Sequence, residues 1–146
     1  MGFEVNIRDV DQILGKYNNK AIILCTDYKR FGNKFKGFSE ISLGITLADK
    51  LMRHPIEKRS EILLREMDKL LLKSSHKGIL VEDIDILFNP EYQFDVLKYF
   101  TNVARVKNIV VVWSGIITND YLQYSEDGYL DYKRYLIKNY DIICVK

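Results

Sequence analysis

The sequence has few residues of the types that constrain a backbone or bind metals. Among its 146 residues are two cysteines, two prolines, two histidines and eight glycines. Cys25 and Cys144 both lie within apolar runs, and no Cys/His group has the spacing of a zinc site. We therefore expect two buried free thiols in a reducing, cytoplasmic compartment instead of a disulfide framework. Because no linker or low-complexity tract interrupts the chain, we expect a single domain over residues 1–146.

Long apolar runs and a strong excess of one charge are also missing. No run approaches the roughly 20 residues of a membrane-spanning helix, so no membrane partner is predicted. The net charge of +2 does not by itself indicate a nucleic-acid-binding protein. Aromatic residues are abundant, with ten tyrosines, seven phenylalanines and one tryptophan. Five of the tyrosines form a stripe near the C-terminus, for which self-association into a homo-oligomer and core packing are both open interpretations: Tyr121, Tyr124, Tyr129, Tyr132 and Tyr135.

Apolar runs alternate with helical patterns along the chain. Strands are predicted at residues 21–25, 40–43, 78–81 (with an extension towards Phe88), 108–113 and 141–145. Helices are predicted at residues 9–17, 46–54, from Pro55 to about Leu70, 90–106 and 131–139. Residues 121–130 predict a hairpin with Asp127-Gly128 as its turn. This alternation predicts a three-layer α/β fold with a mostly parallel sheet of about five strands.

The carboxyl ends of the predicted strands are the expected position of a ligand site. One strand leads into Glu82 and Asp83, which is the layout of a Walker B segment, where carboxylates hold magnesium and orient the attacking water. The usual order of the two acids is Asp then Glu, and here it is reversed. The alternative interpretation is that these acids only cap a strand end and make hairpin or helix contacts. Ser114, at the end of another strand, is either a polar sensor or part of a simple turn.

The segment after the first apolar strand should carry a phosphate loop, and it fits that pattern poorly. The pattern Gly-x-x-x-x-Gly-Lys-Ser/Thr, aligned with its second glycine on Gly32, meets Asp27, Asn33 and Lys34 at its other fixed positions. Residues 27–38 are also too few, because a phosphate loop and a three-turn helix need roughly 20 residues. We therefore expect both the phosphate loop and its helix to be cut down, with Lys34 one place late for the lysine of the pattern. ATP with magnesium, held by Glu82 and Asp83, remains an alternative.

The same segment interleaves cations with aromatic residues. Its cations are Lys29, Arg30, Lys34 and Lys36, and its aromatic residues are Tyr28, Phe31, Phe35 and Phe38. Cations contact phosphates and aromatic rings stack on bases, so one interpretation is a nucleic-acid-binding loop over residues 27–38. The favoured interpretation is a solvated loop whose aromatic side chains pack into the core.

Several segments, taken in order, resemble a known family. They are the strand at residues 21–25, Ser42-Leu-Gly-Ile-Thr-Leu-Ala-Asp-Lys-Leu51, Ile79-Leu-Val-Glu-Asp-Ile-Asp-Ile-Leu-Phe88, Val110-Val-Val-Trp-Ser-Gly115 and Tyr124-Ser-Glu-Asp-Gly-Tyr-Leu-Asp-Tyr-Lys-Arg-Tyr135. Together they resemble BrxF, the small P-loop component of type 3 BREX phage-exclusion systems of bacteria. The glycine-rich loop and following helix of that family are missing here.

The resemblance to BrxF implies a P-loop NTPase-like core. Glu82 would stand at the position of the Walker B aspartate, and Gly32 and Lys34 would be what is left of the phosphate loop. It further implies a subunit of a defence assembly that discriminates foreign DNA from methylated host DNA. The expected role is that of an accessory or scaffold component, acting through other defence-system proteins and DNA, with no ATP hydrolysis by this chain alone.

Overall fold

A computed structural model of the chain describes residues 1–16, 19–27 and 35–146. Its main feature is a six-stranded sheet in which all the pairings are parallel. The strands are β1 (Phe3–Val5), β2 (Ala21–Leu24), β3 (Ser39–Ser42), β4 (Gly78–Glu82), β5 (Asn108–Val112) and β9 (Ile142–Val145). Their order across the sheet is β1-β9-β2-β5-β4-β3. The prediction of an α/β fold with a mostly parallel sheet is confirmed, with β1 as an additional edge strand that has no apolar run to reveal it.

Within the part of the chain that the structure describes, four α-helices connect these strands: α1 (Val10–Leu14), α2 (Gly44–Met52), α3 (Arg59–Leu70) and α4 (Val96–Val103). Their apolar spacing places one face of each against the sheet, as in α4, where Val96, Leu97, Phe100 and Val103 are buried. The helix predicted at 90–106 was placed too early. Pro90 opens only a 3-10 turn, Gln93 then adopts a φ of 48°, and α4 starts after its own cap residue, Asp95.

The strand predicted to extend towards Phe88 ends sooner, at Glu82. Asp83 has a φ of 56°, which turns the chain out of the sheet, and Asp85–Phe88 forms a 3-10 turn. The extension was wrong because an apolar run is equally compatible with a buried turn. The Ile84, Leu87 and Phe88 side chains that suggested a strand are all buried in the core.

Right-handed crossovers explain which face each connection covers. The connections that leave β3, β4 and β5 all run towards the β1 side of the sheet, and α2, α3 and α4 belong to the larger core cluster on one face. The connections that leave β1 and β2 run in the opposite direction. Accordingly, α1 and Phe35 belong to the cluster on the other face, with Ile22, Leu80 and Val110 of the sheet.

The C-terminal third contains a small antiparallel sheet that extends the predicted hairpin and replaces the predicted helix. Its strands are β6 (Ile116–Thr118), β7 (Tyr121–Tyr124) and β8 (Lys133–Leu136), in that order. The prediction at 121–130 is confirmed in its first strand and in its turn, because the Tyr129 amide donates a hydrogen bond of 3.1 Å to the Glu126 carbonyl across Asp127-Gly128. Its second strand was placed too early, because β7 pairs with β8. On its other side β7 pairs with β6 through a turn at Asn119-Asp120, which have φ values of 42° and 67°. The helix predicted at 131–139 is β8 followed by a 3-10 turn at Ile137–Asn139.

Candidate functional site

The predicted site lies at one edge of the main sheet, where the carboxyl ends of the parallel strands meet. Residues 25–27, 83–85 and 113–115 follow β2, β4 and β5 at this edge, and Glu82 is the last residue of β4. Of the predicted remnants of the nucleotide site, Gly32 and Lys34 lie outside the described residues, and so do Lys29 and Arg30 of the predicted nucleic-acid contact. Lys36 is described, and it is exposed.

Glu82 and Asp83 are adjacent in sequence and have different surroundings. Glu82 is the half-buried last residue of β4, and its backbone carbonyl accepts a hydrogen bond of 3.1 Å from the Leu43 amide. Asp83 is exposed, and its carboxyl group lies directly against Gly44, the first residue of α2: a Cβ on Gly44 would be 2.8 Å from the Asp83 Cγ. A carboxylate beside the N-terminus of a helix is favoured by the helix dipole. Asp83 is therefore placed as the helix-contact alternative expects, and Glu82 is the acid at the strand end.

Glu82 and Asp83 are the predicted magnesium ligands at this edge. Within residues 1–16, 19–27 and 35–146, no group of three or more His, Cys, Asp or Glu side chains is placed to hold a metal ion. Magnesium is also held by one or two carboxylates together with water and substrate phosphates. Magnesium binding by Glu82 and Asp83 therefore stays a prediction.

Trp113, Ser114 and Gly115 join the two sheets. The buried Trp113 indole donates a hydrogen bond from Nε1 to the Gln123 carbonyl at 3.1 Å, which ties β7 to the end of β5. Gly115 packs so closely against β7 that a Cβ would overlap the Gln123 carbonyl oxygen and lie 2.9 Å from Trp113 Nε1. The motif thus has a structural role at Trp113 and Gly115, whereas Ser114 is exposed.

The described end of the connection between β2 and β3 is packed onto the sheet. Phe35 is 8% exposed and belongs to the core cluster of that face, and Phe38 packs against it with ring centroids 6.2 Å apart at 71°. A buried phenylalanine cannot stack on a base. For Phe35 the prediction that the aromatic side chains of this loop pack into the core is confirmed.

Carboxylates near the end of β4 affect the pKa of Tyr124. Burial, followed by the nearby Asp85 and Asp131 carboxylates, raises the pKa of Tyr124 to about 12. The Tyr124 ring stacks on Phe88 with centroids 3.8 Å apart at 10°. Of the predicted tyrosine stripe, Tyr124 and Tyr135 pack against the core and Tyr129 is 64% exposed. Core packing thus accounts for two of the tyrosines, and self-association stays a prediction.

A second concave region was not predicted from the sequence. A cavity of about 400 Å³ lies between residues 87–95 and strand β8, lined by Gln93, Asp95 and Tyr135 among others. The tyrosine stripe, which includes Tyr135, was the sequence feature that could have indicated this cavity. The local sequence does not show that these tyrosines lie beside the cap residue of α4.

Comparison of the chain with protein-family models, with curated proteins and with solved structures gives no match. Within the described ranges, no helix is long and apolar enough to cross a membrane. A functional assignment therefore depends on the residues and geometry of this chain itself.

Proposed function

We propose that this protein is a P-loop NTPase-like domain with a degenerate nucleotide site, acting as an accessory or scaffold component of a bacterial BREX-type antiphage assembly. The connection between β2 and β3 is the observation that carries this proposal. Residues 25–38 are too few for a phosphate loop and a three-turn helix, and Phe35 fills the sheet face on which such a helix would pack. A connection too short for this helix would lack the amide groups that hold a phosphate.

The strand order supports a nucleotide-binding ancestry. The connection after β2 runs towards β3, and the connection after β5 runs past β2 in the opposite direction, to β9. Open α/β sheets bind ligands where adjacent strands send their connections in opposite directions. In this sheet that position lies between β2 and β5, beside Ser114, with Glu82 on the next strand.

The position of Asp83 argues against phosphate binding at the neighbouring helix. The N-terminus of α2 lies at the same edge and would offer free amide groups to an anion. Its first residue, Gly44, already has the Asp83 carboxylate against it. An incoming phosphate would meet that negative charge, so we expect no hydrolysis of ATP by this chain alone and a role carried out through protein partners.

The first test is calorimetric titration with ATP and magnesium, comparing wild type with Glu82→Ala. Glu40→Ala, which removes an exposed carboxylate from β3, is the matched control. We expect no saturable binding at millimolar nucleotide in any of the three proteins. Binding that tightens with magnesium and weakens only in Glu82→Ala would overturn the degenerate-site proposal.

The second test measures phage plating on cells that carry the complete defence system. Deletion of this chain should abolish protection, and Glu82→Ala should retain it, because the proposed role uses contacts with partners and not hydrolysis. Full protection without the chain would refute the role in defence.

One specific observation favours a second function, magnesium-dependent ATP binding or hydrolysis. Glu82 is half-buried at the end of β4 and Ser114 is exposed after the end of the adjacent strand β5. These are the positions at which Walker B acids and polar sensors act on a magnesium-bound phosphate. The calorimetric titration decides between this function and the degenerate site.

Direct binding of DNA is a third candidate function, for which the exposed Lys36 is the described feature. It predicts affinity that falls steeply with salt and is lost when Arg30 and Lys34 are both changed to Ala. An affinity for DNA unaffected by the double change would exclude loop 27–38 as the contact.

A further inference from the structure

The cavity beside α4 has the size of a small-ligand site. Its volume of about 400 Å³ falls in the range of ligand pockets, roughly 300–1,000 Å³. One wall comes from the connection between β4 and α4, and the other comes from β8 and Tyr140. It does not include Glu82, Asp83 or Ser114, so it is separate from the predicted nucleotide site.

Aromatic rings form a corner in this cavity. The Tyr135 and Tyr140 rings have centroids 5.6 Å apart and lie at 81° to each other, and the half-buried Phe94 lines the opposite wall. A flat nucleobase can stack on only one face of a perpendicular pair at a time. A compact cation can lie against the faces of two perpendicular rings at once.

Two exposed side chains of opposite charge, Asp95 and Lys133, line the cavity, and the carboxylate is the one that a hydrogen bond holds in place. The Asp95 carboxylate lines the wall, with Oδ1 accepting a hydrogen bond of 3.2 Å from the Lys98 amide as the cap of α4. Burial raises the pKa of Tyr135, with Asp95 and then Tyr140 adding to the effect, so this ring stays neutral at physiological pH. Lys133 is the opposing charge in the lining, and it is exposed at β8.

The backbone of the lining is held in an uncommon conformation. Gln93 has a φ of 48°, in the left-handed region that L-residues seldom adopt. Such conformations cost free energy and are concentrated at ligand-binding positions. Here the turn sets the direction in which the chain approaches Phe94 and Asp95, and so shapes the wall.

We propose that this cavity binds an alkylated ammonium group, with Phe94, Tyr135 and Tyr140 as its aromatic walls and Asp95 as its counter-charge. The group belongs either to a small molecule such as choline or to a trimethyl-lysine side chain of a partner protein. Both sources present the same methylated cation, so one set of variants tests both. This site is independent of the nucleotide site.

Trp113 provides the signal for the test. It is the only tryptophan, and its ring centroid lies 6.0 Å from that of Tyr135, so a ligand against Tyr135 should change its fluorescence. The probes are choline, its neutral isostere 3,3-dimethylbutan-1-ol, and acetylated trimethyl-lysine amide. We expect both cations to bind saturably. The neutral isostere should bind at least about fivefold more weakly than choline.

Three variants separate charge and ring contributions from folding. Asp95→Asn keeps an equally good helix cap while removing the charge, so it should weaken choline binding about fivefold or more without lowering the melting temperature. Lys133→Gln should tighten choline binding, because it removes the opposing charge. Tyr140→Phe should bind like wild type, and Tyr140→Leu should lose binding because it lacks a ring face.

The outcomes are distinguishable. No change in fluorescence at tens of millimolar choline, or equal binding of the neutral isostere, would overturn the proposal. Unchanged affinity in a folded Asp95→Asn protein would do the same. Tighter binding of the trimethyl-lysine probe than of choline would identify a partner side chain as the ligand, and the reverse order would identify a free small molecule.

Discussion

Adding a single methyl group at Gly115 should break the joint between the two sheets. Gly115 lies between β5 and β6, and a Cβ there would overlap the Gln123 carbonyl oxygen. The same Cβ would be 2.9 Å from Trp113 Nε1, whose hydrogen bond to that carbonyl is 3.1 Å long. Because the nearest atom belongs to the backbone of β7, the clash cannot be relieved by rotating a side chain. The Gly115→Ala protein must therefore move β7 away from the end of β5.

The size of the effect follows from what that movement costs. Losing the Trp113 hydrogen bond costs about 0.5–1.5 kcal/mol. Forcing an extra carbon into a packed position costs about 1–3 kcal/mol more, since Trp113, at 5% exposure, must shift with β7. We expect Gly115→Ala to lower the free energy of unfolding by about 2–4 kcal/mol.

Urea unfolding followed by Trp113 fluorescence measures this loss at the joint itself, because Trp113 is the only tryptophan. Gly15→Ala is the matched control, since Gly15 has an ordinary φ of −94° and nothing within 4 Å of the position of a Cβ. The control should change stability by less than about 0.5 kcal/mol. If Gly115→Ala changes the free energy of unfolding as little as the Gly15→Ala control does, and leaves the Trp113 emission unchanged, the close approach of β7 to β5 is refuted.

Two further predictions concern the main sheet and its helices. Gly44→Ala should destabilise the protein by about 1 kcal/mol because its Cβ meets the Asp83 carboxyl group. In an Asp83→Gly background the same substitution should be neutral or stabilising by about 0.5 kcal/mol. Equal effects of Gly44→Ala in the two backgrounds, measured by urea unfolding, would contradict the contact. The hydrogen bond and charge of Lys50, and more weakly Lys69, hold the pKa of the buried Glu66 carboxyl below its usual value of 4.5. A lowered folded-state pKa stabilises the protein above the unfolded pKa, and this contribution is lost as the pH falls through the folded pKa. The melting temperature of wild type should thus fall more steeply than that of Glu66→Gln between neutral pH and about pH 3, and parallel curves would argue against the ion pairs.

The strands of the central sheet could be predicted from the sequence because their signal is local. The runs at β2, β5 and β9 are apolar at nearly every position, and burial on both faces of a parallel sheet requires that composition. The helical stripe of α3 and the shortness of the connection between β2 and β3 are equally local. The position of Glu82 at a strand end followed directly from the same run.

Features that join residues far apart in the chain were determined only by the tertiary structure. Residues 121–124 are a strand as predicted, but they pair with both β6 and β8. The contacts of Trp113 and Gly115 with Gln123 bring this strand against the end of β5. The contact of Asp83 with Gly44 joins two connections far apart in the chain, and the cavity joins Asp95 to Tyr135 in the same way. Apolar periodicity indicates which face of a segment is buried but not which segment covers it. The sequence by itself therefore determined the strands of the sheet and the acids at the end of β4. Only the tertiary structure determined which side chains contact those acids.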